Sequence, residues 1–340
     1  MVNVSVIGAT GYAGAELMRL LLGHKRVRIV HAVSKSFAGA GLSSVYKNFA
    51  CDILLKAMEP EDVCEGSDIV FTCLPHGKSA EIVPGLLKRG VRVIDLSADF
   101  RYKDANVYKE WYKLEHPAKE LLSQSVFGLP EIYRERIKSA RLVGNPGCYT
   151  SSAILALYPL LKAGAVEPAG IIVDAKSGAS GAGRSESTKL SFCEVNESVK
   201  AYGIATHRHT SEIEQEISLA AGVNIAISFT PHLLPINRGI ISTIYLTPKT
   251  DEEGIKKAYE IYSGEPFIKI FEEGVPEIKH VTGGNTCAIG FVLDKRVNRL
   301  VVISCLDNLI KGASGCAVQN LNLLCGFDER EGLNDTGWYF

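Results

Sequence analysis

The sequence predicts an α/β protein: a Rossmann-like domain with a parallel sheet, and an α+β domain with a mixed, largely antiparallel sheet. Two patterns carry that prediction. In the first half, apolar strand-like runs alternate with amphipathic helical stretches, as in βαβ units. In the second half, strand-like runs at 170–175, 224–230, 240–246, 287–293 and 300–306 follow one another with fewer helices between them. That order suits a sheet with helices on one face. At 340 residues and 46% hydrophobic, the chain can build two domains with real cores. It shows no internal repeat and no low-complexity linker.

The first strand, 2–7, runs into Gly8-Ala9-Thr10-Gly11-Tyr12-Ala13-Gly14, and 16–22 then carries a helical period that Gly23 ends. Strand, glycine turn and helix form the setting a phosphate-binding fingerprint needs. Glycines admit close backbone approach, and the helix N-terminus receives a pyrophosphate. Gly8, Thr10, Gly11, Tyr12, Ala13 and Gly14 are therefore candidate cofactor contacts. The second strand, 27–33, ends in Ser34-Lys35-Ser36. An NAD site usually carries an acidic residue about 20 residues past the glycines, on the ribose hydroxyl. Hydroxyls and a cation suit a 2′-phosphate instead, so the expected cofactor is NADP. The alternative is a solvated strand end.

Two more strands stand at parallel-sheet spacing, 68–73 and 91–96, with 80–88 as the crossover helix. Ligands of open α/β sheets bind beyond the carboxyl ends of the strands. His76, Gly77 and Arg101 are placed there, although His76 reads equally well as an ordinary loop histidine. The polar stretch 102–130 reads as a surface excursion.

Leu142 to Thr150 spells Leu-Val-Gly-Asn-Pro-Gly-Cys-Tyr-Thr, and Ile154, Leu155, Tyr158 and Leu161 then share one helical face. Cys148 is thereby expected at a helix N-terminus, where the macrodipole favours an anion and a thiol ionises more easily. The same N–H groups can receive an oxyanion. A small residue packing a helix start is the alternative. Further on, 176–184 is a small-residue loop ending in Arg184. His207-Arg208-His209 precedes a helix expected at 213–221, opened by Ser211 and Glu214 as a capping box; Thr250 and Glu253 open another at 255–262. A cysteine nucleophile needs an acid/base partner, and an anionic substrate needs a guanidinium. This loop offers both, or else is a polar surface loop. No carboxylate or cysteine stands at ligand spacing from the histidines, so no metal is expected.

Composition narrows the class further. The formal charge is −1 with 22% charged residues, so no bulk field draws the chain to nucleic acid or an anionic membrane. No apolar run reaches spanning length, and Met1-Val2-Asn3-Val4 shows no signal-peptide pattern. The nine cysteines contain no Cys-x-x-Cys interval, which points to a reducing, cytoplasmic setting.

With these residues in place, the chain resembles the semialdehyde dehydrogenase family, on its arginine-pathway branch. The likeness runs nearly end to end. Its motifs are Gly-Ala-Thr-Gly-Tyr-Ala-Gly at 8–14, Cys-Leu-Pro-His-Gly at 73–77 and Asp-Leu-Ser-Ala-Asp-Phe-Arg at 95–101. They continue with Gly-Asn-Pro-Gly-Cys-Tyr at 144–149, Ser-Gly-Ala-Ser-Gly-Ala-Gly-Arg at 177–184 and His-Arg-His-Thr at 207–210. Pro-Ile-Asn-Arg-Gly-Ile at 235–240 and Asp-Asn-Leu-Ile-Lys-Gly at 307–312 complete them. Gly147 before Cys148 departs from the Asn-Cys-x-Thr-like segment of aspartate-semialdehyde dehydrogenases. Ser211 and Cys316 replace the proline and glutamine common in the branch.

The resemblance implies reductive dephosphorylation of N-acetyl-gamma-glutamyl phosphate. Cys148 attacks the acyl phosphate to give a thioester, and NADPH supplies hydride. His207 serves as acid/base, with His209 the second choice, and Arg101, Arg184, Arg208 and His209 are candidate substrate contacts. Ser177, Gly178 and Asn308 join the cofactor contacts. The family's final helix returns to the cofactor domain, so the expected domains are 1–147 with 308–340, and 148–307. A homo-oligomer, dimer or tetramer, is expected, acting on a small acyl phosphate. The alternatives are a reductase of carrier-linked aminoadipyl phosphate, an aspartate-semialdehyde dehydrogenase-like enzyme, a non-catalytic NADP-binding regulator and a cysteine acyltransferase.

Overall fold

The computed structural model describes residues 1–184 and 186–338. The chain divides into two compact units, Met1–Pro146 with Ala313–Leu333, and Gly147–Gly312 with the stretch from Asn334.

The first unit is built on β1 (Val2–Ile7), β2 (Val27–Val33), β3 (Leu55–Lys56), β4 (Ile69–Thr72), β5 (Arg92–Asp95), β6 (Val126–Phe127) and β7 (Leu142–Gly144). They form one seven-stranded sheet in the order β3-β2-β1-β4-β5-β7-β6, parallel throughout. Successive strand residues face opposite sides, and here both sides are covered. Val4 and Val6 pack in one core with Leu17, Met18, Val318 and Leu321. Ile7, Val70 and Val93 pack in another with Val83 and Leu86. That double burial explains the unbroken apolar runs in the sequence. The stretch 102–130 departs from the expected surface excursion. It holds the helix Ala105–Tyr112 and strand β6, and Tyr102, Tyr108, Tyr112 and His116 are buried. Tyr108 and Tyr112 stack at 4.8 Å. Tyrosines supply apolar rings with a polar tip, so a polar-looking segment forms a core of its own.

The second unit carries β8 (Ile172–Gly178), β9 (Lys200–Ala201), β10 (Ser228–Leu234), β11 (Ile240–Leu246), β12 (Ile268–Ile270), β13 (Cys287–Asp294) and β14 (Arg299–Leu306). Their order is β12-β13-β14-β11-β8-β10-β9. Pairing is antiparallel except for β8 with β10 and β12 with β13. Strand β11 alternates buried and half-buried residues along its whole length, the mark of a sheet covered on one face. The helix Cys148–Lys162 covers it, with Ser152 Oγ donating to Ser242 Oγ at 2.9 Å.

The observed boundaries differ from the expected ones by one residue at Gly147, which counts with the second unit, and more widely at the C-terminal end. Asn308–Gly312 counts with the second unit, as does the stretch from Asn334. Asn308 is held there by Gly239 N, which donates to its Oδ1 at 2.8 Å. The tail is held by Asn285 N donating to Asn334 O at 2.7 Å and Trp338 N donating to Thr282 O at 2.6 Å. Two helix starts also differ. The helix His209–Ala221 begins ahead of Ser211, whose hydroxyl donates to Arg208 O, while Glu214 accepts from Ile227 N. The helix Glu252–Tyr259 is capped by Asp251, which accepts from Gly254 N, in place of Thr250. Among the described residues no helix is long and apolar enough to cross a membrane.

Candidate active site

In the first unit, β1 ends in a turn that only glycine fits. Gly8 has φ +87°, and a Cβ there would lie 2.3 Å from Cys73 O. A Cβ at Gly14 would lie 2.1 Å from Gly8 O, so the helix Tyr12–Leu22 packs directly on the turn. Gly11 is its N-cap and makes no side-chain hydrogen bond; Tyr12 and Ala13 open the helix, and Tyr12 is exposed. Thr10 Oγ1 and Ser34 Oγ share a 2.7 Å hydrogen bond that ties the turn to the end of β2. Gly8, Thr10, Gly11, Ser34, Lys35 and Ser36 line one cavity of ≈ 400 Å³. A bare backbone cradle at a helix start, opening into a polar-ended cavity, fits a dinucleotide.

His76 and Gly77 stand just before the helix Lys78–Lys88. Ala98 N donates to His76 Nδ1 at 3.3 Å, and the ring stands edge-on to Tyr112 at 5.0 Å. Asp99, fully buried, accepts from Gly77 N at 2.8 Å and Ala80 N at 2.9 Å. This carboxylate, which sequence reasoning missed, caps the helix. Arg101 is buried too, with Nε donating to Asn145 O at 2.6 Å and Nη2 to Leu96 O at 3.0 Å. It grips the chain three residues ahead of Cys148.

In the second unit, Cys148 is the first residue of its helix, behind the N-cap Gly147. Gly147 N donates to Glu212 Oε1 at 2.9 Å, and Glu212 is fully buried. Gly312 closes the other side: a Cβ there would lie 2.8 Å from Cys148 Cβ. His207 stands in an aromatic cage, with ring centroids of Tyr149, Tyr202, His209 and Phe229 at 5.7, 5.6, 4.8 and 5.3 Å. His209 N donates to His207 Nδ1 at 3.2 Å. In the neutral ring the proton therefore sits on Nε2. Burial, with the charge of Arg208 added, lowers the His207 pKa from 6.5 to about 4, so the ring is neutral at pH 7. Tyr202 OH donates to Tyr149 OH at 3.1 Å, which donates to His232 O at 3.2 Å.

Three of the quoted motifs meet in this unit. Gly178 N donates to Gly239 O, Ala179 N to Ile236 O, and Ser180 Oγ to Asn237 O at 2.5 Å. Asn308 Nδ2 donates to Ser180 Oγ at 3.0 Å. Ser177 is buried, with its hydroxyl donating to Gly178 O. Arg184 and Arg208 are exposed, and His209 is half-buried beside Tyr149. Fully buried Asp307 accepts from Gly283 N, Leu309 N and Ile310 N and faces Arg238 Nη1 at 3.5 Å, which fixes the segment carrying Asn308.

Residues 3–140 match the NAD binding domain of semialdehyde dehydrogenases, and residues 148–308 match their dimerisation domain. A protein of Moorella thermoacetica named N-acetyl-gamma-glutamyl-phosphate reductase is 49% identical over 99% of both chains. A protein of the same name from Acetivibrio thermocellus is 47% identical over 100% of both. The chain belongs to the semialdehyde dehydrogenase family, in its N-acetyl-gamma-glutamyl-phosphate reductase branch.

The family fold appears in solved structures as well. An aspartate semialdehyde dehydrogenase II of Vibrio cholerae superposes with a TM-score of 0.72 at 19% identity, covering 96% of this chain and 98% of that one. An aspartate semialdehyde dehydrogenase with NADP from Candida albicans gives 0.70 at 16%, covering 96% and 99%. The family's two-domain plan thus accounts for the parallel sheet and the mixed sheet of this chain.

Proposed function

We propose that this chain is a cytoplasmic, homo-oligomeric reductase of arginine biosynthesis. It converts N-acetyl-gamma-glutamyl phosphate to N-acetylglutamate 5-semialdehyde through a thioester on Cys148, with NADP as its cofactor. The observation that carries this reading is the end-to-end likeness, at 49% identity, to proteins named for that substrate. The dinucleotide cradle, the cysteine at a helix start and the caged histidine supply the parts such a reaction needs.

The thiolate of Cys148 attacks the acyl carbonyl; a C–S bond forms, the C–O bond to phosphorus breaks, and phosphate leaves. N–H groups at the start of the helix polarise the carbonyl oxygen. Neutral His207 offers its Nε2–H to that oxygen as charge develops on it. When bound, the nicotinamide supplies the hydride that brings the acyl group to the aldehyde level. The C–S bond then breaks, the aldehyde departs and Cys148 is again a thiolate. Arg184 and Arg208 provide guanidinium groups for phosphate and carboxylate, while Arg101 positions the Asn145-Pro146-Gly147 approach to the nucleophile. Ser34, Lys35 and Ser36 suit a ribose 2′-phosphate, which favours NADP over NAD.

The test is a spectrophotometric assay in the reverse direction. Wild type and Cys148→Ser are each mixed with N-acetylglutamate semialdehyde, phosphate and NADP. Phosphate-dependent reduction of NADP by wild type, lost by at least about 10³-fold in the variant, is the expected result. Turnover only of a carrier-linked aminoadipate semialdehyde, or undiminished turnover by Cys148→Ser, would contradict it.

A further inference from the structure

We infer that Lys78 is a second cation for the ribose 2′-phosphate, held in readiness by Glu81, and thereby a specificity-determining residue for NADP over NAD. The inference rests on the NADP reading above. Lys78 and Glu81 line the same cavity as Ser34, Lys35 and Ser36. Met58 and Pro60 on one stretch, with Pro75 and Ile82 on another, add apolar lining to that cavity, which suits a planar base.

The placement of Lys78 breaks a local rule. It is the first residue of the helix Lys78–Lys88, where the macrodipole disfavours a cation. The Gly77 and Ala80 N–H groups at this helix start already donate to Asp99, so they are not what receives the ligand. A residue that contradicts its local setting is a signature of a functional position. Glu81, one turn on, accepts from Lys78 Nζ at 2.9 and 3.1 Å. Both side chains are more than half exposed, 61% and 53%, so the pair adds little to stability. Its ammonium can pass to a phosphate dianion, which pairs with a cation more strongly than one solvated carboxylate does. Glu59 lines the cavity too and opposes this: a carboxylate there suits the ribose hydroxyl of NAD. The balance between Lys35 with Lys78 and Glu59 with Glu81 sets the preference.

Calorimetric binding of 2′,5′-ADP and of 5′-AMP separates the 2′-phosphate from the rest of the nucleotide without reliance on turnover. Lys78→Ala is expected to weaken 2′,5′-ADP by about tenfold or more, as loss of a charge-assisted contact does, and to leave 5′-AMP within about twofold. Lys78→Arg is expected to restore most of the affinity, and Glu81→Gln, which releases Lys78, to tighten 2′,5′-ADP. Unchanged 2′,5′-ADP binding in Lys78→Ala, while Lys35→Ala weakens it, would overturn the role of Lys78 alone. Equal binding of both nucleotides by wild type would overturn the NADP reading and this inference with it.

Discussion

Cys148 and His207 differ in how far the sequence announces them. Pro146 and Gly147 end one strand and an apolar period begins at once, so a helix-start cysteine is legible locally. The groups that hold it are not. Glu212, which receives Gly147 N, lies 65 residues away, and Gly312 packs on Cys148 from farther still. Glu212 stands between Ser211 and Glu214, which suggested a capping box, and the acid that matters is the one that box leaves out. The environment of His207 yields a pH prediction. Burial and Arg208 lower its folded value from 6.5 to about 4. Between those values the unfolded chain binds a proton that the folded chain does not, so stability falls as pH drops from about 6.5 toward about 4. Denaturant titrations across that range are expected to show a steeper decline in wild type than in His207→Gln. His207 acts as a neutral Nε2–H donor, so no His207 limb in kcat/KM is expected near pH 6.5; a limb there that vanishes in His207→Gln would contradict this.

At the scale of elements, the strands read well because burial sets their pattern. Strand β2 and strand β11 stand where their apolar runs placed them. Short β3, β9 and β12 carry too few residues to show a period. The stretch 102–130 misleads for another reason: its core is made of tyrosines and a histidine, whose hydroxyls and ring nitrogens make a buried cluster look polar. Tyr108 OH donates to the Asp99 carboxylate, and His116 Nε2 meets the Asp99 backbone O at 2.7 Å, so one residue ties that cluster to the helix beside it. The cap of the helix Glu252–Tyr259 is legible to within a residue, whereas the helix His209–Ala221 takes Arg208 as its N-cap, three residues ahead of Ser211. Asp251 and Thr250 both suit an N-cap, and geometry chose the acid. Asp251→Ala is expected to lower stability by about 1 kcal/mol, read as a drop in the chemical denaturation midpoint. Thr250 is not a clean control because Gly254 packs on it, but Glu253→Ala is expected to change stability by less than about 0.5 kcal/mol. The reverse order would restore the Thr250–Glu253 box.

The whole molecule is two units whose sequence ranges interleave: the chain leaves the first unit at Pro146, re-enters it at Ala313, and contributes its tail to the second from Asn334. The alternating first half and strand-rich second half announce two sheets. The C-terminal exchange is not visible in composition, because it depends on contacts such as Trp338 against the Thr282-Gly283-Gly284 turn. The glycine turn of the proposed cofactor cradle lies in one unit, and Cys148, His207 and Asn308, the residues proposed for the chemistry, lie in the other. The proposed reaction turns on a covalent step at Cys148. The most direct test mixes enzyme with N-acetylglutamate semialdehyde and NADP in the absence of phosphate, then follows the reduced cofactor and the intact mass of the protein. A burst of about one reduced cofactor per chain is expected, with an N-acetylglutamyl adduct on Cys148 that added phosphate discharges. Reduction of NADP with no adduct on Cys148, or with an adduct that persists in Cys148→Ser, would contradict it.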